Sequence, residues 1–166
     1  MKLDRFDVKI LEALQEDGRM PMARLAERIG LTPSPTWERV RRLEQSGVLR
    51  GYHADIAADR LKQLTYVIVP VTLENHRASD FRRFEQAVAR IPQIVGCWAV
   101  GGEVDYMVHF VVSDMSSYQA VIEQTLNADL GIRKYWTYIV TKPVKPYAGL
   151  PISELLDPQD ADKSAG

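Results

Sequence analysis

Apolar residues recur every three to four positions in the first fifty residues, and nearly every second position later in the chain. The first pattern predicts short amphipathic helices and the second predicts β-strands. The amino-terminal part is expected to form a helix capped by Asp4 and ended by Asp17-Gly18, a second that starts near Pro21 and stops at Gly30, and a third that closes at Gly47.

The stretch LTPSPTWERVRRLEQSG places two prolines directly before the third helix. Proline suits the first helical turn, where its missing N–H has no intrahelical partner and its fixed φ is already helical. Thr32 or Ser34 is expected to supply the capping oxygen, so that the prolines define a tight turn between two helices. The following VLRGYHADI, residues 48–56, is expected to be a short strand or wing.

The third helix has one apolar and one polar face. Thr36, Val40 and Leu43 share a face at i, i+4 and i+7, whereas the outer face is basic. The outer residues are Ser34, Glu38, Arg41, Arg42 and Gln45, flanked by Trp37 and Arg39. Three short helices with a sharp turn and a basic outer face indicate a helix-turn-helix, although periodicity alone fits a small bundle with a solvated charged face equally well.

A linker at residues 60–64 precedes a regular alternation of strands and helices. The expected strands are 65–73, 94–100, 106–112 and 132–144, and the expected helices are 77–91 and 116–128. This order is the ferredoxin-like βαββαβ unit, which makes the fold class α+β. Pro70 indicates an edge or a bulge in the first strand. Two helices cover one sheet face, yet the strands are apolar on both, so a homodimer is expected.

Charge is distributed unevenly along a chain whose formal net charge is −1. Residues 19–50 hold seven arginines and three glutamates, a net of +4, whereas residues 51–166 have a net of −3. This asymmetry points to a polyanionic partner for the first part alone. The sequence shows neither an apolar signal core nor a run of the ~20 apolar residues that a membrane span needs. A cytoplasmic location is therefore expected, and the single cysteine fits a reducing compartment.

Catalytic chemistry has almost no support in the sequence. There is no phosphate-binding glycine loop, and His53, His76, His109 and Cys97 lack the spacing of a metal site. Cys97 lies within a predicted strand, which favours a structural cysteine over a nucleophile. We therefore expect neither an enzyme, nor a cofactor, nor a metal site.

The turn VGGEVDY, Val100 to Tyr106, is the one stretch that suggests a small ligand. The Gly101-Gly102 backbone offers N–H groups to an anion without steric conflict, and Asp105 offers a negative partner to a cation. Together they match the carboxylate and ammonium of a free amino acid. A plain hairpin turn with a solvated aspartate explains the same residues and is favoured when the turn is taken alone.

Three motifs carry a family resemblance. LDRFDVKILEALQEDGRM, LTPSPTWERVRRLEQSGVLRGY, and GGEVDY followed by DMSSY resemble the Lrp/AsnC family of transcription regulators. The resemblance runs from Leu3 to about Leu156. It implies a winged helix-turn-helix domain at 1–52, with 22–41 as the motif proper, and a linker at 53–64. A βαββαβ effector and dimerisation domain at 65–150 and a tail at 151–166, polar and expected to be disordered at its end, complete the chain.

The motif residues define two candidate sites. The DNA-binding candidates are Ser34, Thr36, Trp37, Glu38, Arg39, Arg41 and Arg42. By position in the family motif and its surroundings, the effector candidates are Gly101, Gly102, Asp105, Tyr106, Met115, Tyr138, Ile139 and Val140. The resemblance implies that the effector, an amino acid or related metabolite, binds between dimers, and that dimers assemble into tetramers, octamers or larger rings.

The expected function is a sequence-specific regulator of amino-acid or related nitrogen metabolism. Its expected partners are double-stranded DNA with pseudo-palindromic operators, further copies of itself and a small effector, but no membrane. Two alternatives remain at this point. One is an architectural DNA-binding protein without an effector, and the other is a ligand-binding or enzymatic βαββαβ module.

Overall fold

The computed structural model describes residues 2–145, 147 and 149–156. The chain separates into two units, one containing residues up to 56 together with the described residues after 145, and one containing residues 57–145. The expectation of a disordered end at residues 157–166 lies outside the described residues.

The first unit begins with helix α1, Arg5–Glu16, which Asp4 caps as predicted. The Asp4 carboxylate accepts hydrogen bonds from the Phe6 and Asp7 amides, and the Asp7 carboxylate accepts one from the Asp4 amide. This reciprocal arrangement is a capping box, which satisfies N–H groups that have no partner inside the helix. Helix α2, Met22–Ile29, ends at Gly30 in the left-handed conformation with φ +77°, also as predicted.

Helix α3, Pro33–Gln45, begins at the first of the two prolines. The prediction that Thr32 or Ser34 caps it is wrong, because neither side chain accepts a hydrogen bond from a helix amide. A capping oxygen normally accepts from the second or third residue of the helix, and the third residue here, Pro35, has no N–H. The Thr32 carbonyl accepts from the Thr36 amide and hydroxyl instead.

The predicted strand or wing at 48–56 is not present as a strand in the described residues. The described chain holds no strand that pairs with this segment, and a strand without a partner leaves its backbone groups unsatisfied. The segment therefore runs as irregular backbone after α3, closed by a hydrogen bond of 3.0 Å from the Leu49 amide to the Leu43 carbonyl.

The three helices enclose the core of the first unit. Its buried members are Ile10, Leu11, Ala13, Leu14, Leu25, Ile29, Val40 and Leu43. A short helix near the end of the chain, α6, Ile152–Leu155, packs beside α1 and contributes Ile152 to this core. The Gln15 side chain donates to the Leu150 carbonyl at 2.8 Å and accepts from the Leu150 amide at 2.9 Å.

The second unit has the predicted βαββαβ order. Its elements are β1 Thr65–Leu73, α4 Ala78–Val88, β2 Ile94–Ala99, β3 Tyr106–Val112, α5 Met115–Asn127, β4 Ile132–Tyr135 and β5 Tyr138–Ile139. The sheet is antiparallel with the order β2-β3-β1-β4, and β5 also pairs with β1. Strands β1 and β3 have the predicted bounds.

Of the two alternatives predicted from Pro70, the edge is wrong and the bulge agrees with the structure. Strand β1 is central in the sheet, and its register shifts between Thr72 and Leu73, two residues after Pro70. The Trp136 amide donates to the Pro70 carbonyl at 3.1 Å, but Pro70 has no N–H to donate in return. The predicted strand 132–144 is accordingly interrupted opposite Pro70, which leaves β4 and β5 as separate short strands.

The two sheet faces differ in what covers them. Helices α4 and α5 cover one face, with a core of Val67, Val69, Val71, Leu73, Phe84, Val88, Tyr106, Val108, Phe110, Val112, Tyr118, Ile122 and Leu130. We call the other side the open face. The strand registers place Tyr66, Ile68, Trp98, Met107, His109, Val111 and Tyr138 on it. Trp98 and Tyr138 are 58% and 57% exposed, so the second apolar face predicted from the sequence exists.

Candidate functional site

The outer face of α3 presents four polar or aromatic candidates to solvent. Ser34, Glu38 and Arg41 are exposed, and Trp37 is 51% exposed. The Arg41 guanidinium lies 5.3 Å from the centre of the Trp37 ring, a cation–π distance. These side chains form a continuous surface on one helix because residues three and four apart share a face.

Thr36 does not belong to this surface. Its side chain is fully buried, and its hydroxyl donates to the Thr32 carbonyl at 2.8 Å. Its i, i+4, i+7 relation to Val40 and Leu43 turns it into the core, so the prediction that Thr36 contacts DNA is wrong.

Arg39 is turned towards the protein. Its Nη1 lies 2.6 Å from Asp4 Oδ2 and 2.9 Å from Asp7 Oδ1, and its side chain is 24% exposed. Partial burial opposes its charge, but the hydrogen bonds to Asp4 and Asp7 outweigh that effect and raise the pKa of Arg39. The Arg39 charge is therefore paired with carboxylates of its own unit, whereas the sequence predicted that it contacts DNA.

Arg42 has both an internal partner and an exposed part. Its Nη2 lies 2.6 Å from Asp7 Oδ2, while 49% of the side chain remains exposed. The Asp7 side chain is fully buried and accepts from both arginines. Sequence reasoning did not single out Asp7. The signal was available, since Asp7 lies one helical turn before Ile10 and Leu11 on the apolar stripe of α1, and a carboxylate buried there requires a cation.

The turn after β2 has the backbone that its glycines predicted. Gly102 has φ +142°, which favours glycine, and a side chain added at Gly101 would meet no atom within 4 Å. The turn is anchored by hydrogen bonds of 2.9 Å from the Val100 amide to the Asp105 carbonyl and from the Asp105 amide to the Val71 carbonyl.

Asp105 has an internal structural role. Its Oδ2 accepts from the Leu73 amide at 2.8 Å, and its Oδ1 lies 3.0 Å from His76 Nε2. The carboxylate thus ties the turn to the end of β1, and 19% of the side chain remains exposed. The sequence did not link His76 with Asp105, because strand pairing brings together residues that no local spacing connects.

Tyr106, one of the effector candidates, lies in the core beneath α4 and also lines a cavity beside Glu85 and Cys97. Its ring centre is 4.6 Å from that of Phe84, and its hydroxyl donates to Glu85 Oε1 at 2.8 Å. Burial, followed by the neighbouring Glu85, raises the pKa of Tyr106. The inward direction follows from strand alternation, since Tyr106 pairs with the buried Val71.

The remaining effector candidates lie away from the turn. Tyr138, Ile139 and Val140 run beside residues 66–68 of β1, whereas the turn lies beside Val71 and Leu73. Met115 follows the far end of β3, which at ~3.3 Å per residue is about 20 Å from Tyr106. One chain therefore holds the candidates as two separate groups, not as one pocket.

Cys97 has the surroundings of a structural cysteine. Burial, and then the nearby Glu85, raises the pKa of the Cys97 thiol, which disfavours the nucleophilic thiolate. Within the described residues, no group of three or more His, Cys, Asp or Glu side chains is placed to hold a metal ion. Nor does this part of the chain include a helix long and apolar enough to cross a membrane.

Comparison with known proteins gives consistent matches. The AsnC-type helix-turn-helix domain matches residues 3–44, and the Lrp/AsnC ligand binding domain matches residues 66–150. The transcriptional regulatory protein DoeX of Halomonas elongata is 50% identical over 156 residues, 93% of this chain and 99% of that protein. The Bkd operon transcriptional regulator of Pseudomonas aeruginosa is 40% identical over 131 residues, covering 79% and 86% of the two chains.

A solved structure matches nearly the whole chain. The transcriptional regulator NMB0573 of Neisseria meningitidis, in complex with L-Met, superposes with a TM-score of 0.85 at 30% identity, covering 93% of this chain and 100% of that one. The agreement extends over both units of the chain.

Proposed function

This chain belongs to the Lrp/AsnC family of DNA-binding transcriptional regulators, and on that premise we propose how its two units divide the task. The outer face of α3 reads operator DNA in the cytoplasm. The βαββαβ unit dimerises and binds a small effector, a free amino acid, that alters DNA binding. The regulated genes belong to amino-acid or related nitrogen metabolism.

The DNA contacts are assigned to Ser34, Trp37, Glu38, Arg41 and Arg42. The supporting observation is that these five side chains are exposed along one helix, whereas Thr36 and Arg39 are turned inward. A helix of this kind fits the major groove, where arginine can contact guanine edges or phosphates and Glu38 can accept from cytosine. Trp37 restricts Arg41 by stacking, which limits the directions in which the guanidinium points.

The open face supports the dimer. Trp98 and Tyr138 are more than half exposed on a sheet whose other side is covered by α4 and α5, and a second copy of the chain is the economical cover. Two recognition helices related by a two-fold axis then meet a pseudo-palindromic operator, with centres ~34–36 Å apart or a multiple of that distance.

The effector site is assigned to the turn Gly101–Asp105 together with Met115, Tyr138, Ile139 and Val140. Backbone N–H groups at Gly101 and Gly102 suit the ligand carboxylate, and the exposed part of Asp105 suits its ammonium. Because these groups are apart in one chain, the site joins the turn of one copy to Met115 and β5 of another. The complex of a structural relative with L-Met favours an amino acid as the ligand class.

A pair of measurements tests this division of labour. Arg41→Ala should weaken binding to an operator duplex and lower the salt slope by about one unit, which a mobility-shift titration at several salt concentrations measures. Asp105→Ala should retain operator binding but lose heat of L-methionine binding in calorimetry. Unchanged operator affinity and slope in Arg41→Ala, or unchanged L-methionine affinity in Asp105→Ala, would remove that residue from its assigned site.

A further inference from the structure

The most unusual charge arrangement in the first unit lies behind α3. The Asp7 side chain is fully buried near the start of α1 and accepts from Arg39 at 2.9 Å, from Arg42 at 2.6 Å and from the Asp4 amide at 3.1 Å. Asp4 adds a second carboxylate at 2.6 Å from Arg39. We call Asp4, Asp7, Arg39 and Arg42 the carboxylate clasp.

The two arginines of the carboxylate clasp differ in their partners and in their exposure. Arg39 is held by both carboxylates and lies 5.3 Å from the centre of the Phe6 ring, so its charge is compensated and its plane is covered. Arg42 meets Asp7 through Nη2, and half of its side chain is exposed. A guanidinium has five N–H donors in a fixed fork, so fixing one nitrogen sets the direction of the others.

We propose that Asp7 is a positioning residue for DNA specificity. It holds the Arg39 guanidinium away from DNA and orients the Arg42 guanidinium towards DNA. This inference rests on the proposal that α3 reads DNA. Asp7 itself touches no nucleotide, and it acts through the two arginines. A fully buried carboxylate left without its cations is strongly unfavourable, so the start of α1 and the middle of α3 are fixed to each other.

The positioning role has a consequence that a purely structural ion pair lacks. Free arginines on a recognition helix bind any phosphate backbone, which raises non-specific affinity and its salt dependence. Restraining Arg39 and orienting Arg42 lowers this non-specific affinity. It keeps the Arg42 contact, which forms only when α3 is correctly placed on its DNA site. Loss of Asp7 should thus reduce the ratio of specific to non-specific affinity.

The first experiment compares Asp7→Asn with Glu16→Gln. Both remove one negative charge from α1, but Asp7 pairs with Arg39 and Arg42 whereas Glu16 pairs with Arg28 at the surface. Affinities are measured at several salt concentrations for a duplex that the parent protein selects from a random pool, and for a scrambled duplex of equal length. A thermal melt of each variant defines a temperature at which all proteins are folded.

In Asp7→Asn the specific to non-specific ratio should fall at least about tenfold, and the non-specific salt slope should steepen by about one unit per released arginine. Glu16→Gln should leave both near the parental values. An unchanged ratio of specific to non-specific affinity in folded Asp7→Asn would overturn the proposal. This holds even if both affinities fall in proportion, because that result would reveal a merely structural residue.

The second experiment compares Arg39→Gln with Arg41→Gln, and it stands even if Asp7→Asn does not fold. Both variants remove one positive charge from α3. Arg41→Gln should lower the operator salt slope by about one unit, whereas Arg39→Gln should leave the slope unchanged. Equal slope losses in the two variants would refute the withholding of Arg39. No slope loss in either Arg41→Gln or Arg42→Gln would instead refute α3 as the reader, so the two proposals fail in distinguishable ways.

Discussion

The two units differ in whether their candidate functional residues are brought together within one chain. In the first unit the arginines behind the outer face of α3 are paired within the chain, and the exposed candidates lie side by side on one helix. In the second unit an apolar sheet face is uncovered, and the effector candidates fall into two groups. The proposed DNA-contacting surface lies within a single chain, whereas the proposed effector site requires a further copy.

The largest expected effect comes from truncating one buried side chain in the core of each unit. Leu43 is fully buried in the first unit and Phe84 is nearly so in the second. Leu43→Ala should destabilise the first unit by roughly 2–5 kcal/mol, and Phe84→Ala the second by about 3–5 kcal/mol. In scanning calorimetry each variant should lower one transition. If both lower a single shared transition equally, the units do not unfold independently.

The second prediction concerns the open face. Ile68→Asp introduces a charge at the centre of the expected dimer interface, and an unpaired buried charge is highly unfavourable. The dimer should weaken by at least about 100-fold, which sedimentation equilibrium measures. Gln124→Asp, on the exposed side of α5, provides the matched control. Equal association of both variants would show that another surface joins the copies.

The local parts of the fold were predictable from the sequence, and the long-range parts were not. Asp4, Gly30 and Pro33 mark helix ends through contacts within one turn, and alternation gave the bounds of β1 and β3. The interruption opposite Pro70 depends on strand pairing, which local periodicity does not encode. The missing strand at 48–56 depends likewise on the presence or absence of a partner strand.

The candidate sites follow the same division. The outer face of α3 was predictable because its exposed residues share one helical face. The inward turn of Arg39 was not, since it depends on Asp4 and Asp7 about thirty-five residues earlier. The separation of Tyr138, Ile139 and Val140 from the Gly101–Asp105 turn was equally hidden, because it emerges only when β5 is paired with β1 in register.

The third prediction uses pH to separate the units. Burial lowers the pKa of His109, on the open face beside Tyr66, below 6.5. The folded unit then binds fewer protons than the unfolded chain just below that pH, so stability present above about pH 6.5 is lost as pH falls. The melting temperature of the second unit should therefore decline between pH 6.5 and 5. His109→Gln should flatten the profile, and a persistent decline would assign the effect to another group.

The corresponding group in the first unit titrates at lower pH. Burial opposes ionisation of Asp4, but hydrogen bonds from the Asp7 amide and Arg39 outweigh it and lower the pKa of Asp4 below 3.8. Its contribution is therefore present above about pH 4 and is lost only as the pH falls below that value. Between pH 6.5 and 5 the melting of the first unit should not change through Asp4.

The smallest expected effect concerns the segment after residue 145. Gln15→Ala removes two exposed hydrogen bonds to Leu150, which should lower the stability of the first unit by about 1 kcal/mol. The thermal transition of the second unit should not move, and operator affinity below the transition should match the parent. A loss as large as that of Leu43→Ala would show that α6 is essential to the helical core.

The central claim is that each DNA-contacting surface lies within one chain whereas each effector site is assembled from two. Equimolar mixing of Asp105→Ala and Met115→Lys chains, with subunit exchange, tests it most directly by calorimetry with L-methionine. Each variant alone should bind no ligand, and the mixture should regain about a quarter of the parental sites, because only there can an intact turn meet an intact Met115 from another copy. A mixture as inactive as its components, or full binding by either variant alone, would contradict the account.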